Sequence, residues 1–224
     1  MAERHPGASG AFDPSEVEAA AVELGLILEP DQVSMLLRFM SMLRRWNTTY
    51  NLTAVRDPER MLTQHLFDCL AVVLPLRRQL THGNGKRLLD VGSGGGLPGV
   101  VLAIVEPGLA VTCVDSVGKK AAFVTQVASE LGLSNLAAAH SRVETLKAGP
   151  FDAIASRAYA ALPDFVRTSR PLLGTSGVWM AMKGKVPADE IAGLPADVEV
   201  FHVEHLTVPG LAADRCLVWM SPLP

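Results

Sequence analysis

The strongest chemical signal in the chain is Leu88-Leu89-Asp90-Val91-Gly92-Ser93-Gly94-Gly95-Gly96-Leu97-Pro98-Gly99. An apolar strand, a glycine-rich turn and a helix start with Pro98 near its first position follow one another directly. That is where a doubly wound sheet opens its ligand crevice. Glycines let the backbone turn sharply and come close to a ligand, while the helix start offers free N–H groups.

Two ligands compete for such a loop. Gly94-x-Gly96-x-x-Gly99 satisfies the dinucleotide pattern, in which a pyrophosphate sits on the helix N-terminus, so an NAD-dependent oxidoreductase must be weighed. Asp90-x-Gly92-x-Gly94-x-Gly96 satisfies the S-adenosylmethionine pattern, which places an acid at the strand end. A carboxylate there sits badly beside pyrophosphate and well beside the amino group and sulfonium of a methionine moiety, so Asp90 favours the methyl donor. A second acid, Asp115, ends the next strand 19 residues beyond Gly96. It stands close to where a carboxylate accepts hydrogen bonds from ribose hydroxyls, and this fits either ligand.

Other residues narrow the chemistry. After the fourth strand the chain reads Ser156-Arg157-Ala158-Tyr159, without the Asp/Asn-Pro-Pro-aromatic run that holds an exocyclic amine. Pyrimidine C5 methylation needs a nucleophilic cysteine, and Cys69, Cys113 and Cys216 lack a proline before them or an obvious base beside them. Their spacing also argues against disulfides and against zinc. A nucleophile that already carries an in-plane lone pair would, by contrast, need alignment at a sulfonium methyl and no general base. Arg157 suits a phosphate, a base face, or an ion pair with Glu144 or Asp115. Lys183, followed by Gly184 and Lys185 on an open crevice edge, suits a phosphate. His65 and Asp68 lie three apart on a helix and are expected to pair. His202 and His205 fall on opposite faces of a strand, so no metal site is expected.

These groups need a scaffold. Asp13-Pro14 with Glu16 starts a first helix that Gly25 ends. From Pro30 to Trp46 the residues Val33, Leu36, Leu37, Met40, Leu43 and Trp46 form an amphipathic stripe. A third helix is expected from Asp57-Pro58 toward Pro75. Polar, glycine-containing residues 81–86 mark a boundary. Beyond it, strands are expected at Arg87–Val91, Val111–Asp115, Leu136–His140, Phe151–Ser156, Val178–Lys183, Val198–His205 and Cys216–Met220. The early ones alternate with helices, and the last two form an antiparallel hairpin. The expected organisation is a tail at 1–12, a helical lobe at 13–80, and an α/β domain of the class I methyltransferase type at 81–224, with a seven-stranded, mostly parallel sheet.

Of 224 residues, 49% are hydrophobic and the net charge is −3. Disorder of the whole chain is excluded, and no apolar run reaches the roughly 18 residues of a membrane span. No apolar stretch follows the early charges, so a cytoplasmic protein is expected, monomeric by default. An acidic protein that binds RNA must do so through local basic patches, for which Arg44-Arg45, Arg56, Arg60 and Lys119-Lys120 are candidates.

The glycine loop, together with Trp46-Asn47-Thr48-Thr49-Tyr50-Asn51-Leu52-Thr53-Ala54-Val55-Arg56-Asp57-Pro58, resembles the small-subunit ribosomal RNA guanine-N7 methyltransferases of bacteria, the RsmG or GidB family. Gln64-His65-Leu66-Phe67-Asp68, Ser141-Arg142-Val143-Glu144, and Ser156 to Tyr159 with Ala181-Met182-Lys183-Gly184 extend the likeness. Gln64 stands where many members have a basic residue, and Cys69 where a serine is common. The resemblance implies methylation of N7 of a guanosine in the 530 loop of 16S ribosomal RNA, conventionally position 527. S-adenosylmethionine would be the donor and S-adenosylhomocysteine the product. The partner is naked 16S RNA or the small ribosomal subunit, with DNA and membranes not expected. The donor-site candidates are Asp90, Gly92, Gly94, Gly96, Leu97, Asp115, Val143, Glu144 and Arg157. Arg157, Lys183 and His65 are candidates for the reacting centre. Asn47, Asn51, Arg56, Lys119, Lys120, Lys183 and Lys185 are candidates for RNA contact. Another substrate on the same fold is the alternative.

Overall fold

The computed structural model describes residues 12–80 and 85–223. The expected tail lies outside these residues except for Phe12, which is buried beneath the Arg44 guanidinium. The boundary expected at 81–86 falls mostly outside them too.

The N-terminal elements are α1 (Pro14–Glu23), α2 (Pro30–Tyr50), a short α3 (Pro58–Met61), a π-helical turn (Leu62–Phe67), α4 (Asp68–Leu70) and α5 (Val73–Gln79). The Asp13 carboxylate accepts from Ser15 N–H to cap α1, and Gly25 leaves it at φ 71°. Helix α2 runs one turn beyond the expected end and closes on Asn51 in the left-handed conformation. Its buried series is Val33, Leu36, Met40, Leu43 and Asn47, with Phe39 beside it, while Leu37 and Trp46 are half-buried. The single helix expected from Pro58 to Pro75 is instead broken by the π turn and by a turn at Ala71 and Val72. Pro75 sits in the first turn of α5, where a missing N–H costs nothing, so it helps to start a helix where it was expected to stop one.

The remaining elements are β1 (Arg87–Val91), α6 (Gly99–Val105), β2 (Ala110–Asp115), α7 (Gly118–Leu131), β3 (Leu136–His140), β4 (Phe151–Arg157), α8 (Leu162–Ser169), β5 (Leu173–Lys183), α9 (Ala188–Ala192), β6 (Val198–His205) and β7 (Cys216–Pro222). The seven strands form one sheet in the order β3-β2-β1-β4-β5-β7-β6. The first five are parallel, and β7 pairs antiparallel with both β5 and β6. This is the expected sheet with its C-terminal hairpin. Strand β5 begins five residues earlier than expected, because an irregularity near Phe151 lets Leu173 pair there ahead of the polar stretch Gly174 to Gly177.

Alternation along the strands splits the core. Leu88, Cys113, Ala155, Met180 and Trp219 join the core shared with α1, α2, α6 and α7, while Leu89, Val91, Ile154, Trp179 and Val218 pack with Phe165 and Val166 of α8. Gln32 of α2 donates to the carbonyls of Ile104 and Val105 at the end of α6, and Arg38 donates to the Glu130 carbonyl of α7. The N-terminal helices therefore share one hydrophobic core with the sheet.

Phe39 is fully buried 6.3 Å, ring to ring, from Phe123 of α7. Replacing it with alanine is expected to cost about 3–5 kcal/mol in the urea-unfolding free energy of the whole chain, with a single transition. A loss below about 1 kcal/mol, or a separate early transition, would show that the helices do not share the core.

Candidate functional site

The crevice opens at the C-terminal ends of β1, β2, β4 and β5. Its larger part, about 640 Å³, is lined by Gly92 to Gly95 and Leu97 of the glycine loop, Thr53 to Val55, Gln64, His65, Asp68, Arg157, Met182, Lys183, Gly184 and Arg215. A smaller part, about 300 Å³, is lined by Asp115, Ser141 to Glu144 and Tyr159. Gly92, Lys120 and Ala158 belong to both walls, so the two parts are neighbouring chambers.

Three glycines of the loop have positive φ: Gly92, Gly94 and Gly96. A Cβ on Gly92 would lie 2.4 Å from the Tyr159 ring, which rests against the loop. A Cβ on Gly94 would meet nothing nearer than a neighbouring carbonyl at 4.0 Å, so bare backbone faces the larger chamber there. Gly96 is buried and turned inward, where a Cβ would strike Val100 and Val124. At Gly99 a Cβ would press on Cys113 and Asp90, so this glycine serves the close packing of α6 on the sheet.

Two acids brace the loop from behind and from the side. The Asp115 carboxylate accepts from Gly94 N–H at 3.0 Å and from Val117 N–H at 2.8 Å, with the Lys120 ammonium 3.6 Å away. Asp90 is wholly buried, and its Oδ2 accepts from Gly99 N–H at 2.8 Å. Burial pushes its carboxyl up to about 7, against the opposing pull of the Gly99 N–H and of Arg157. Asp90 does not line the crevice. Its Oδ2 answers the first amide of α6 from beneath the loop, and its buried Oδ1 has no hydrogen-bond partner among the described residues.

The other wall comes from the N-terminal helices. Asn47 is buried, donating to the Val55 carbonyl and accepting from Thr53 N–H. Both ends of its amide therefore hold the 53–55 loop. Thr53 Oγ1 lies 2.6 Å from His65 Nε2, and the other ring nitrogen is 3.0 Å from the Gln64 carbonyl. Burial, helped by the Arg157 charge, lowers His65 to about 4, so the ring is neutral at pH 7.

The expected pairing of His65 with Asp68 is not found. The π turn alters the helical spacing between them, and Asp68 instead meets Arg157 with Oδ2 at 3.3 Å and Arg215 with Oδ1 at 2.9 Å. Arg157 also donates to the Gln64 carbonyl, and so pairs with neither Glu144 nor Asp115. The φ of 55° at Ala158 separates Arg157, in the larger chamber, from Tyr159, in the smaller. Lys183 is bound to Glu190 at 2.7 Å and to the Ala160 carbonyl. Val143 is buried and Glu144 exposed on the wall of the smaller chamber. Asn51 and Arg56 are exposed and hydrogen-bonded to each other, while Lys119 and Lys185 are exposed.

Arg215 was missed by sequence reasoning, as were the shared role of Asp68 and the placing of Thr53. Arg215 could be found only once the strand order is known: β7 inserts beside β5 with Cys216 opposite Lys183, which brings Arg215 to the crevice edge. Asn47 did carry a signal, being the next member of the buried series 33-36-40-43. Among the described residues no cluster of three or more His, Cys, Asp or Glu could hold a metal, and no helix is long and apolar enough to cross a membrane.

Comparison with known proteins agrees with this geometry. The family described as rRNA small subunit methyltransferase G matches residues 32–218. A protein named ribosomal RNA small subunit methyltransferase G from Acidovorax sp. (strain JS42) is 60% identical over 207 residues, covering 89% of this chain and 91% of that one. One of the same name from Verminephrobacter eiseniae is 56% identical over 225 residues, covering 93% and 94%. Among solved structures, TrmN from Thermus thermophilus superposes with a TM-score of 0.55 at 22% identity, over 69% of this chain and 48% of that chain, which shows the shared fold.

The state of His65 gives a sign for pH dependence. Its folded value near 4 lies below the ordinary 6.5, so below pH 6.5 the unfolded chain takes up a proton that the folded chain refuses. Wild type should therefore lose stability relative to His65→Gln as pH falls from 6.5 to 4, by up to ~3 kcal/mol, when unfolding free energies are compared at each pH. Parallel curves for the two proteins would show that His65 is not held neutral.

Proposed function

Because the chain belongs to the rRNA small subunit methyltransferase G family, we propose that it transfers a methyl group from S-adenosylmethionine to N7 of a guanosine in the 530 loop of 16S ribosomal RNA. The observation that carries the donor half is the glycine loop, whose bare backbone at Gly94 faces a chamber that a side chain would fill. Asp115, Val143 and Glu144 at the smaller chamber suit the ribose and adenine, and Gly92 to Leu97 with Arg157 suit the methionine end. Bound there, the donor supplies an electrophilic methyl on a sulfonium.

The chain's own task is to exclude water and to fix the nucleophile. Guanine N7 needs no proton removed, so a site without a base poised near neutrality is adequate. His65 is neutral and tied to Thr53, Lys183 is tied to Glu190, and Asp68 is shared by two arginines. None of these groups has to move a proton. The loop 53–55, held by Asn47 and His65, walls the larger chamber opposite the glycine loop and suits a splayed base. Asn51, Arg56, Lys119 and Lys185, exposed and each adjacent in sequence to a residue that lines that chamber, suit the RNA backbone. The partner is the small ribosomal subunit or its RNA, and the compartment the cytoplasm.

Labelled methyl transfer to small ribosomal subunits and to naked 16S RNA, both lacking the modification, tests the proposal. Label mapping to N7 of one guanosine in the 530 loop is the expected result, and label at an exocyclic amine or a carbon would overturn the N7 assignment. For the donor site, Gly94→Ala is expected to weaken S-adenosylmethionine binding about tenfold or more in calorimetry, equivalent to at least ~1.4 kcal/mol. Unfolding stability should fall by only about 1 kcal/mol, the cost of an alanine at positive φ. Unchanged donor affinity would remove the loop from the donor site.

A further inference from the structure

The larger chamber carries an unbalanced charge. Its lining cations are Lys120, Arg157, Lys183 and Arg215, and His65 beside them is neutral at pH 7. Lys120 is matched by Asp115 and Lys183 by Glu190, each one to one. Arg157 and Arg215 have to share the single carboxylate of Asp68. One unit of positive charge is left over, on a pair of guanidiniums whose common anchor is almost excluded from water.

Both guanidiniums keep donors to offer. Arg157 donates through Nη1 to both Asp68 and the Gln64 carbonyl, against the π turn, and among the described residues its Nε and Nη2 have no hydrogen-bond partner. Arg215 uses Nε on Asp68 and Nη1 on the Asp214 carbonyl, and among the described residues its Nη2 has no hydrogen-bond partner. Its guanidinium lies just beyond the C-terminal end of β5, where a Cβ on Gly184 would find Arg215 Nη1 at 4.0 Å, next to exposed Lys185. A planar cation with its inner edge fixed and its outer edge free is preorganised for an oxygen anion.

We propose that Arg215 binds a phosphate of the RNA substrate next to the target nucleotide, with Asp68 as the positioning residue that holds its guanidinium toward the chamber. The inference rests on the RNA-methylation reading and adds a named contact to it. The donor's own carboxylate is the other anion that this site must accommodate, and Arg157 suits it better, because it follows Ser156, which pairs with Val91 at the start of the glycine loop. The N7-methylated product is cationic, which argues for Arg215 facing the backbone and away from the reacting ring.

The test compares wild type, Arg215→Gln and Arg215→Lys, each first shown to be folded by its unfolding midpoint. Three quantities are measured: calorimetric affinity for S-adenosylmethionine, the KM for unmodified small ribosomal subunits, and the salt dependence of binding to a 530-loop RNA fragment. For Arg215→Gln we expect donor affinity within twofold of wild type and an RNA KM raised roughly tenfold, the usual effect of losing a hydrogen bond to a charged group. The slope of log affinity against log salt should shrink by about 0.7, one phosphate's worth of released counterion. Arg215→Lys, which keeps the charge, should restore the slope and most of the KM.

Donor affinity falling as far as RNA affinity would overturn the proposal and assign Arg215 to the methionine carboxylate. All three readouts matching wild type in folded Arg215→Gln would reduce the residue to a structural contact. Failure of the parent reading looks different: wild type itself would then leave unmodified subunits unlabelled.

Discussion

At Asp68 a carboxylate almost excluded from water is answered on both oxygens, and the two answers come from distant parts of the chain. Arg157 arrives from the end of β4 and Arg215 from the loop before β7, while Asp68 itself belongs to the N-terminal helices. Removing either arginine leaves a buried charge half paired, and buried charges tolerate that poorly. The contact therefore fixes the N-terminal layer against the C-terminal ends of the strands, where the crevice lies. The π turn just before Asp68 is part of the same constraint. It presents the Gln64 carbonyl to Arg157 and sets His65 beside Thr53.

The glycine loop is held by a different logic. Its residues have almost no side chains to pack, so its shape is imposed by acceptors and neighbours around it. Asp90 takes the first amide of α6 from beneath, Asp115 takes the Gly94 amide from the side, and the Tyr159 ring lies against Gly92. An anion kept under the N-terminus of a helix is favoured by the helix dipole, yet full burial raises the Asp90 carboxyl to about 7. The loop's backbone is thereby ordered in advance of any ligand, which lowers the ordering cost of binding.

The legible part of the molecule was the part governed by local periodicity. Strands were recognisable because Leu88-Leu89-Asp90-Val91 and its counterparts are short apolar runs between turn residues, and the parallel order follows from the helices between them. The loop and its second acid at Asp115 were legible because their spacing is set by one βαβ unit. What escaped was set by non-local geometry. Nothing near Asp68 in sequence announces Arg157 or Arg215, 89 and 147 residues away. The π turn escaped because its sequence, Leu62 to Phe67, has the same apolar spacing as an ordinary helix. At Asp90 the sequence pattern records which residue stands at the strand end and not which way its carboxylate turns, and the structure turns one oxygen toward the Gly99 amide.

The distribution of charge in the crevice bears on the reaction itself. A base poised near neutrality would be needed to strip a proton from an amine before or after methyl transfer, and the groups lining the larger chamber are unsuited to it. His65 is held neutral and bonded at both nitrogens, and the lysines are engaged with carboxylates. A nucleophile that already owns its lone pair places a different demand: it must be delivered in line with the donor's methyl and kept there. Rigid walls on both sides of the chamber meet that demand, one built from backbone pinned by two acids, the other from a loop pinned by Asn47 and His65. On the proposed reading, the surplus positive charge on the arginine pair would let an acidic protein admit RNA here without a broadly basic surface.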